Sequence, residues 1–348
     1  MMAGEVEQVP LFLAPMAGVT DLAFRLLARE CGADFTISEF TAAAALTRQD
    51  SKSWHKLESD PRETPFIPQI FGGKVEEMVQ SCELLQDVAD LIDLNFGCPA
   101  PKVTRHCAGA ALMGRPDELV GMVEKCVEVS KVPITVKMRL GTGTERINAL
   151  ELAKRVQDVG VERICVHGRT LRQRYSGVAD WQAIAEIVDA VDIPVVANGD
   201  IVDAASATKC LQITGAAGLM IGRSAIGRPT IFQQIKSQLD WDSSPPPWSP
   251  TSSIENQASA RLWAWRRYVN LDDELNELRH KSSSEEVEAH LLSKNRLRHA
   301  FAFTKELPGS KAFRTELHSN RGAMQLSTSV EAFLVELVTA SKNQTQQD

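Results

Sequence analysis

The residues best suited to carrying out chemistry lie in one stretch, LIDLNFGCPAPKVTRHCAGAALM, which spans Leu91 to Met113. An apolar run ends at Asn95, the chain turns at a glycine, and Cys98 follows directly before Pro99. Because glycine permits a tight turn and proline restricts the backbone, the stretch predicts a cysteine aimed from a constrained loop at a strand end. Such a position suits a reacting residue, although a lone cysteine in an intracellular protein is usually a small buried hydrophobe.

Further polar residues follow the ends of other short apolar runs. These ends read Ala14-Pro15-Met16, Gln69, Asn95, Lys137 and Arg139, His167 and Arg169, Asn198-Gly199-Asp200, and Gly222-Arg223. In parallel barrels the chemistry lies on the face made by the carboxyl ends of the strands. The pattern therefore predicts one shared ligand site at that face.

The last two of these ends have a specific physical use. Loops after the seventh and eighth strands of a barrel commonly bind phosphate, because glycines let backbone N–H groups approach the anion and a guanidinium adds paired donors. Gly199, Gly222 and Arg223 fit that role. The alternative is that these glycines only turn the chain.

Lys137 lies between apolar neighbours in the strand pattern ITVKMR, so its ammonium is expected to point into the barrel mouth and to need an anionic partner. The negative edge of a reduced flavin would be such a partner. A Schiff-base lysine is the competing interpretation. His167, at a strand end in CVHGRT, is either a hydrogen-bonding ligand residue or a satisfied core histidine.

The elements that would position these side chains alternate between strand and helix up to about residue 240. Strands are predicted at Val9 to Met16, Phe35 to Glu39, Phe66 to Phe71, Leu91 to Asn95, Ile134 to Met138, Arg163 to His167, Pro194 to Asn198 and Ala217 to Ile221. Helices are predicted at Asp21 to Cys31, Val75 to Ala89, Asp117 to Ser130, Arg146 to Val159, Trp181 to Ala190 and Ala204 to Gln212. This alternation predicts an α/β fold, a closed (β/α)8 TIM barrel. An open doubly wound sheet is the alternative, but no strand leads into a G-x-G-x-x-G turn.

Composition limits the class of protein. The 348 residues are 43% hydrophobic and 24% charged, which is ordinary for a globular chain, and the net charge of -7 disfavours a surface that grips nucleic acid everywhere. The 7 cysteines include no C-x-x-C pair, so we do not expect a metal site. We expect the protein to reside in the reducing cytoplasm. With neither a leader pattern nor a long apolar run, we expect no membrane span.

The composition changes after Trp241, where a segment rich in proline and serine, SSPPPWSP at Ser243 to Pro250, cannot continue a helix. We therefore predict a catalytic barrel over residues 1–241, a linker over 242–253 and a domain of three or four helices over 254–348, a small helical bundle. Within that domain, Lys294, Arg298 and Lys305 fall near one helical stripe, with Arg296, Lys311, Arg261, Arg266 and Arg267 as further basic residues. The stripe is either a solvated face or a contact for a polyanion.

Taken together, these residues resemble the tRNA-dihydrouridine synthases, flavin enzymes that reduce a uracil ring in transfer RNA. The likeness runs from Leu13 to Arg228. It rests on APMAGVTD at Ala14 to Asp21, NFGCP at Asn95 to Pro99, GAALM at Gly109 to Met113, VKMR at Val136 to Arg139, HGRT at His167 to Thr170, YSGVADW at Tyr175 to Trp181, NGDI at Asn198 to Ile201 and IGR at Ile221 to Arg223. Each motif alone is weak, whereas the ordered set is specific.

The resemblance implies that Cys98 protonates the uracil carbon opposite the one that takes hydride. It implies tightly bound FMN, with contacts from Pro15, Met16, Gln69, Lys137, His167, Asn198, Gly199, Asp200, Gly222 and Arg223. It places Asn95, Arg139 and Tyr175 at the target uridine. NADPH or NADH would be the transient reductant, and tRNA would bind to a monomer, with Lys294, Arg298 and Lys305 as candidate contacts.

Two features depart from the family pattern. Cys107 stands where a glycine is usual, in HCAGAALM, and the segment that begins at Leu271 is longer and more acidic than expected. Two other functions share part of the pattern. One is an FMN barrel reductase of a free pyrimidine or small carbonyl, similar to dihydroorotate dehydrogenase, and the other is a non-catalytic RNA-binding barrel.

Overall fold

The structure is a computed structural model that describes residues 6–242, 254–280, 295–317 and 323–345. The chain divides into two compact units. One, here called the barrel unit, holds the residues up to Ala17 and those from Ala33 to Gly222. The other, the helical unit, holds Gly18–Gly32 and the chain from Arg223 onward. Of the linker predicted at 242–253, only Asp242 lies among the described residues, so the domain boundaries stay a prediction.

The barrel unit is built on a parallel sheet. Its strands are β1 (Leu11–Leu13), β2 (Phe35–Thr36), β3 (Thr41–Ala42), β4 (Gln69–Phe71), β5 (Ile92–Phe96), β6 (Ile134–Arg139), β9 (Arg163–His167), β10 (Val195–Asn198) and β11 (Gly218–Ile221), with β7 (Gly141–Gly143) and β8 (Arg146–Ile147) forming a separate hairpin. The strand order is β2-β1-β11-β10-β9-β6-β5-β4-β3. All pairs in this sheet are parallel.

The two ends of that order come from one stretch of chain. β2 pairs with β1, whereas β3 pairs with β4. Between them the Ser38 N–H donates to the Ile67 carbonyl oxygen at 3.1 Å. Residues 35–42 thus act as one strand that closes the ring, and the predicted (β/α)8 barrel is confirmed over the alternative of an open sheet.

Most residues of these strands are buried, as is usual for parallel strands that are covered on both faces. All six residues of β6 are buried, including Lys137 and Arg139. Parallel pairing sets Asn95 beside Lys137, Arg139 beside His167, and His167 beside Asn198. The register therefore brings the polar strand ends into neighbouring positions.

Helices of the barrel unit follow the strands. They are α2 (Ala43–Leu46), α3 (Ser51–His55), α4 (Val75–Leu85), α5 (Pro101–Thr104), α6 (Pro116–Val129), α7 (Ala149–Asp158), α8 (Trp181–Val188) and α9 (Ala204–Thr214). Local sequence sets their ends: Asp203 caps α9 in a capping box with Ser206, and Gly215 follows in the left-handed region at φ 59°. The helix predicted from Arg146 is wrong at its start, because residues 146 and 147 pair with β7 and α7 begins at Ala149.

The helical unit contains α1 (Leu22–Glu30), α10 (Ile231–Gln238), α11 (Ile254–His280), the helical residues 295–303 (α12), α13 (Ser310–Leu317) and α14 (Ala323–Thr345). Its core includes Trp265, Tyr268 and Phe303, whose rings pack on one another. The helical character predicted for the carboxyl-terminal region is confirmed. In the described part of the chain, every helix is too short or too polar to cross a membrane.

Asp21 joins three elements inside the helical unit. Its carboxylate caps α1 by accepting the Phe24 N–H at 2.9 Å, lies 2.9 Å from Nε2 of His299, and accepts the Tyr268 hydroxyl at 3.3 Å. Burial acts to raise the pKa of Asp21, but the charge and hydrogen bond of His299, the hydrogen bond from the Phe24 N–H and the charge of Arg25 together outweigh it, so that the pKa lies below its ordinary value. The motif residue Asp21 therefore has a structural use in this unit.

Candidate active site

Asn95 shapes the loop that carries Cys98. Its side-chain oxygen accepts the backbone N–H groups of Gly97 and Cys98, each at 2.9 Å. Its amide nitrogen donates to Oε1 of Gln69 at 2.7 Å. Because one buried side chain makes all three contacts, the turn after β5 has one preferred conformation.

Cys98 lies in an apolar pocket at the end of β5. Its side chain packs with Val103 and Ala108, and the partly buried Phe40 and Phe71 contact the same cluster. Burial raises the pKa of the Cys98 thiol, and the backbone hydrogen bond from Ala100 and the positive charges of Arg139 and Lys137 only partly offset that rise. The sulfur is therefore a thiol near neutral pH and holds a proton that it can donate.

The loop after Cys98 folds back onto it. The Ala110 N–H donates to the Cys98 carbonyl oxygen at 3.2 Å. Gly109 has φ of 58°, and a Cβ there would lie 3.0 Å from the same oxygen. Cys107 also has a positive φ, of 50°, in the region that favours glycine. The structure thus gives a physical reason for the glycine usual at this position, and Cys107 occupies it with strain.

A buried carboxylate orders the side chains below the site. Asp93 accepts from Nε2 of Gln69 at 2.6 Å and from the Thr135 hydroxyl at 2.5 Å. Burial raises the pKa of Asp93, and these two hydrogen bonds act against that rise. Asp93 thereby orients the Gln69 amide so that its oxygen faces Asn95. Sequence reasoning missed Asp93, although a carboxylate inside the buried run IDLNF was a signal for it.

Lys137 is buried on β6, and its ammonium lies 3.2 Å from the side-chain oxygen of Asn198. Asn198 in turn donates to the Met220 carbonyl oxygen at 2.7 Å. Burial lowers the pKa of Lys137, and the nearby Arg139 lowers it further, while Cys165, Asp93 and Cys98 act in the opposite sense. Within the described residues this cation is hydrogen-bonded to an amide and not to a carboxylate, so an electron-rich ligand would complete its surroundings.

Arg139 is not exposed to solvent as a free binding group. Its Nε donates to the Gly97 carbonyl oxygen at 2.7 Å, and its Nη1 donates to the carbonyl oxygens of Thr170 and Arg174 at 3.0 and 2.9 Å. Its guanidinium carbon lies 5.8 Å from the ring centroid of Tyr175. Arg139 therefore ties the Cys98 loop to the loop that carries Tyr175.

His167 and Tyr175 lie on the same side of the barrel unit. Their ring centroids are 6.5 Å apart. His167 is buried, whereas Tyr175 is 53% exposed. This pair offers one inward polar ring and one accessible aromatic ring at the end of β9.

The glycines after β10 and β11 differ in how tightly they are packed. Gly199 has φ of 121°, and a Cβ there would lie 2.8 Å from Cβ of Ala179 and 3.1 Å from Cδ2 of His167. Gly222 is looser, since a Cβ would lie 3.5 Å from Cβ of Ala14. Only Gly199 therefore demands glycine on steric grounds.

The remaining cofactor candidates are placed as follows. Pro15 and Met16 are half-buried after β1. The Asp200 carboxylate accepts from Arg169 and from the Ala179 N–H, each at 2.7 Å. Arg223 is exposed and opens the helical unit with the short helical turn Arg223–Ala225.

The basic stripe predicted in the helical unit is only partly an exposed surface. Lys294 lies outside the described residues. Arg298 is exposed, with its guanidinium over Gly18, and Lys305 pairs with Glu306 at 2.9 Å. Arg296 is buried and pairs with Asp272 at 2.6 Å, so it does not extend the stripe. Arg261 is buried too, and donates to the carbonyl oxygens of Phe303 and Lys305.

The acidic and sulfur-bearing side chains do not gather into a metal site in the described part of the chain. Among residues 6–242, 254–280, 295–317 and 323–345, no group of three or more His, Cys, Asp or Glu side chains is arranged to hold a metal ion.

Comparison with known proteins identifies the family. A probable tRNA-dihydrouridine synthase of Rhodobacter capsulatus is 43% identical over 232 residues, which cover 66% of this chain and 72% of that protein. tRNA-dihydrouridine synthase B of Escherichia coli K12 is 39% identical over 238 residues, covering 68% and 74%. A probable tRNA-dihydrouridine synthase of Rickettsia bellii is 39% identical over 264 residues, covering 75% and 79%.

The solved structure of a nitroalkane oxidase from Streptomyces ansochromogenes is only weakly similar. Its TM-score is 0.37, and it is 17% identical, with 64% of this chain and 67% of that chain covered. The family model for dihydrouridine synthases, by contrast, matches residues 12–338. That match covers nearly the whole chain and includes every candidate site residue. The chain therefore belongs to the dihydrouridine synthase family.

Proposed function

We propose that this protein is a tRNA-dihydrouridine synthase, which reduces the C5–C6 double bond of a uridine in tRNA, with Cys98 as the proton donor. The observation that carries the proposal is the Cys98 thiol, aimed by Asn95 and kept protonated by burial. The relatives bearing this name support the reaction and its tRNA substrate.

The residues present fit a flavin, which we propose is FMN. Lys137 is a buried cation whose described hydrogen bond goes to an amide. Gly199 has no room for a side chain, because a Cβ there would meet Ala179 and His167, so its backbone lies close to the ring of His167. Gln69, Asn198 and His167 add buried amides and a ring at neighbouring strand ends, while Gly222 and Arg223 remain the candidates for the phosphate. When bound, the flavin supplies the hydride for one carbon of the uracil double bond.

The chain's own residues account for the proton. Cys98 holds it at Sγ and donates it to the other carbon of the double bond, after which the thiolate is stabilised by the nearby charges of Lys137 and Arg139. Asn95 fixes the direction from which the thiol approaches, because it holds the Cys98 N–H. The accessible ring of Tyr175 is placed to contact the uridine.

Further parts of the proposal concern the partners and the setting of the reaction. NADPH or NADH binds transiently as the source of electrons, and the target uridine is extruded from the folded tRNA before it reaches the barrel. Arg298 and Lys305 are the described candidates for contacts to the tRNA backbone. We place the reaction in the cytoplasm and expect a monomer on tRNA.

The test uses purified full-length protein. It should be yellow, release FMN on heating, and form dihydrouridine when mixed with unmodified tRNA and NADPH. A colourless protein, or one that retains flavin yet turns over free pyrimidines and leaves tRNA unchanged, would reject the proposal. Dihydrouridine mapping in tRNA from cells that lack the protein would then identify the uridine.

A further inference from the structure

The loop between β9 and α8 is held by two buried guanidinium groups. Arg139 donates to the Arg174 carbonyl oxygen at 2.9 Å, and Arg169 donates to the Ser176 carbonyl oxygen at 3.2 Å. Both arginines are 2% exposed. The residues on either side of Tyr175 are therefore each anchored through the backbone, while the Tyr175 side chain itself stays accessible.

Arg169 makes further contacts with the same loop. Its Nη2 donates to the Gly177 carbonyl oxygen and to the Asp200 carboxylate, both at 2.7 Å. A planar guanidinium can serve several acceptors at once, which a lysine ammonium in the same place would not reproduce. Arg169 thus connects two consecutive loop carbonyls to a carboxylate on the next strand end.

Asp200 completes the arrangement from β10. Its carboxylate accepts a hydrogen bond from Arg169 and another from the Ala179 N–H, each at 2.7 Å. Asp200 therefore contacts both the β9–α8 loop, at Ala179, and the guanidinium that holds this loop. Asp200 has φ of 57°, a conformation that a non-glycine residue adopts at a cost. The hydrogen bonds of the Asp200 carboxylate to Arg169 and to the Ala179 N–H offset the conformational cost of this positive φ.

We propose that Arg169 and Asp200 are a positioning pair that aims Tyr175 at the target nucleotide. The inference deepens the proposed function and rests on it. It gives the Asp200 carboxylate a role in addition to the FMN contact that the family resemblance implies for this residue. Neither residue of the pair touches the reacting atoms; both act through the loop.

The Arg169 guanidinium also reaches His167. Its Nη1 lies 3.5 Å from Nε2 of the imidazole. A guanidinium only donates, so the facing ring nitrogen acts as the acceptor and the proton of the neutral ring lies on Nδ1. Arg169 thereby favours the Nδ1–H tautomer of His167, and this gives a spectroscopic signature independent of turnover.

The experiment compares Arg169→Lys, Tyr175→Ala and the double variant in the full-length protein, with tRNA and NADPH. Arg155→Lys is the matched control, because Arg155 also pairs with an aspartate, Asp117, at 2.8 Å, but on exposed helices. Asp200→Asn weakens the same Arg169–Asp200 contact from the other side and replaces Arg169→Lys if that variant folds poorly. Flavin content, KM for tRNA and kcat are measured for each.

We expect Arg169→Lys and Asp200→Asn to keep the full flavin content and to raise KM for tRNA about tenfold or more, since small misplacements of a substrate contact have effects of that size. kcat should fall less than KM rises, and the control should match the wild type. The double variant should be no worse than Tyr175→Ala alone, because residues that act through one group are not additive. Loss of flavin in either variant, an unchanged KM, or effects that multiply would overturn the proposal.

A second measurement separates this inference from the proposed function. Nitrogen-15 NMR of the protein with nitrogen-15-labelled histidine reports the tautomer of His167. The wild type should show the Nδ1–H tautomer, and Arg169→Lys should show a changed ratio of the two tautomers. If the wild type forms no dihydrouridine, the proposed function fails. An unchanged His167 signal, combined with unchanged hydrogen exchange at residues 175–179, would overturn the positioning pair whether or not the enzyme is active.

Discussion

The side-chain oxygen of Asn95 accepts the backbone N–H of Cys98 at 2.9 Å, so the residue near the end of β5 determines where the thiol points. The amide nitrogen of Asn95 is held by Gln69, which is held in turn by Asp93. The direction of the thiol is thereby traced back to a buried carboxylate inside the barrel. Positioning of this kind from rigid strands is what general acid catalysis requires.

Asn95→Ala should misplace the Cys98 loop. Two backbone N–H groups lose their acceptor, and Gln69 loses its donor, so the free energy of unfolding should fall by about 1–3 kcal/mol. Dihydrouridine formation should fall about a hundredfold, as expected for a displaced catalytic group. Urea unfolding and product assays measure the two effects. Thr104→Ala, at a half-buried position of the same loop region, serves as the control and should change neither by a similar amount.

Cys107→Gly should stabilise the protein. The residue has φ of 50°, which a glycine adopts freely and a cysteine does not, so we expect a gain of up to about 1 kcal/mol in the free energy of unfolding. Activity should be retained, because Cys107 is not the thiol in the apolar cluster with Val103. Cys107→Ala keeps the strain and should give no such gain. A loss of product in both variants would instead assign Cys107 a chemical role.

Lys137→Met tests the fit to a flavin. The substitution keeps the length of the side chain and removes the buried charge whose pKa is lowered by desolvation. We expect the purified variant to retain less FMN and its remaining flavin to have a lower reduction potential, because the cation no longer favours the electron-rich reduced form. Flavin titration and spectroelectrochemistry report the two quantities. Full retention at an unchanged potential would exclude Lys137 from the flavin site.

The pKa of Asp21 gives the helical unit a pH dependence. Because the folded pKa is below the unfolded one, the Asp21 carboxylate contributes stability that is fully present above the unfolded pKa, near 4, and is lost as the pH falls through the folded pKa. The wild type should therefore lose more stability below about pH 4 than Asp21→Asn, which lacks the titrating group. Urea midpoints measured between neutral and acid pH compare the two. Parallel pH profiles would contradict the assignment.

Much of the barrel follows from local sequence. Eight short apolar runs with polar ends predict the strands, and parallel strands place those ends on one face whatever the details of packing. Lys137, His167 and Asn198 accordingly lie on three adjacent strands, with His167 opposite Asn198 and Lys137 opposite Cys165. What local pattern does not specify is which partner a buried polar group finds.

The contacts of Arg139 illustrate that limit. The resemblance implies a place for it at the uridine, which stays a prediction, but gives no sign that its guanidinium donates to the carbonyl oxygens of Gly97, Thr170 and Arg174. Those partners lie on loops whose course depends on the whole barrel. The β7–β8 hairpin is a second case, because its bend at Gly141 brings that residue so close to Arg146 that a side chain would not fit. A helical pattern beginning at Arg146 gives no sign of that pairing.

The most direct measurement is the rate at which unmodified tRNA reoxidises the reduced flavin of Cys98→Ala in a single turnover. If Cys98 is the acid, the variant should bind tRNA and keep its flavin, yet react about a hundredfold to ten-thousandfold more slowly than the wild type. The wild-type rate should also decline only as the pH rises through the raised pKa of the thiol. A variant that forms dihydrouridine as fast as the wild type, or a wild-type rate that increases with pH, would contradict this role for Cys98.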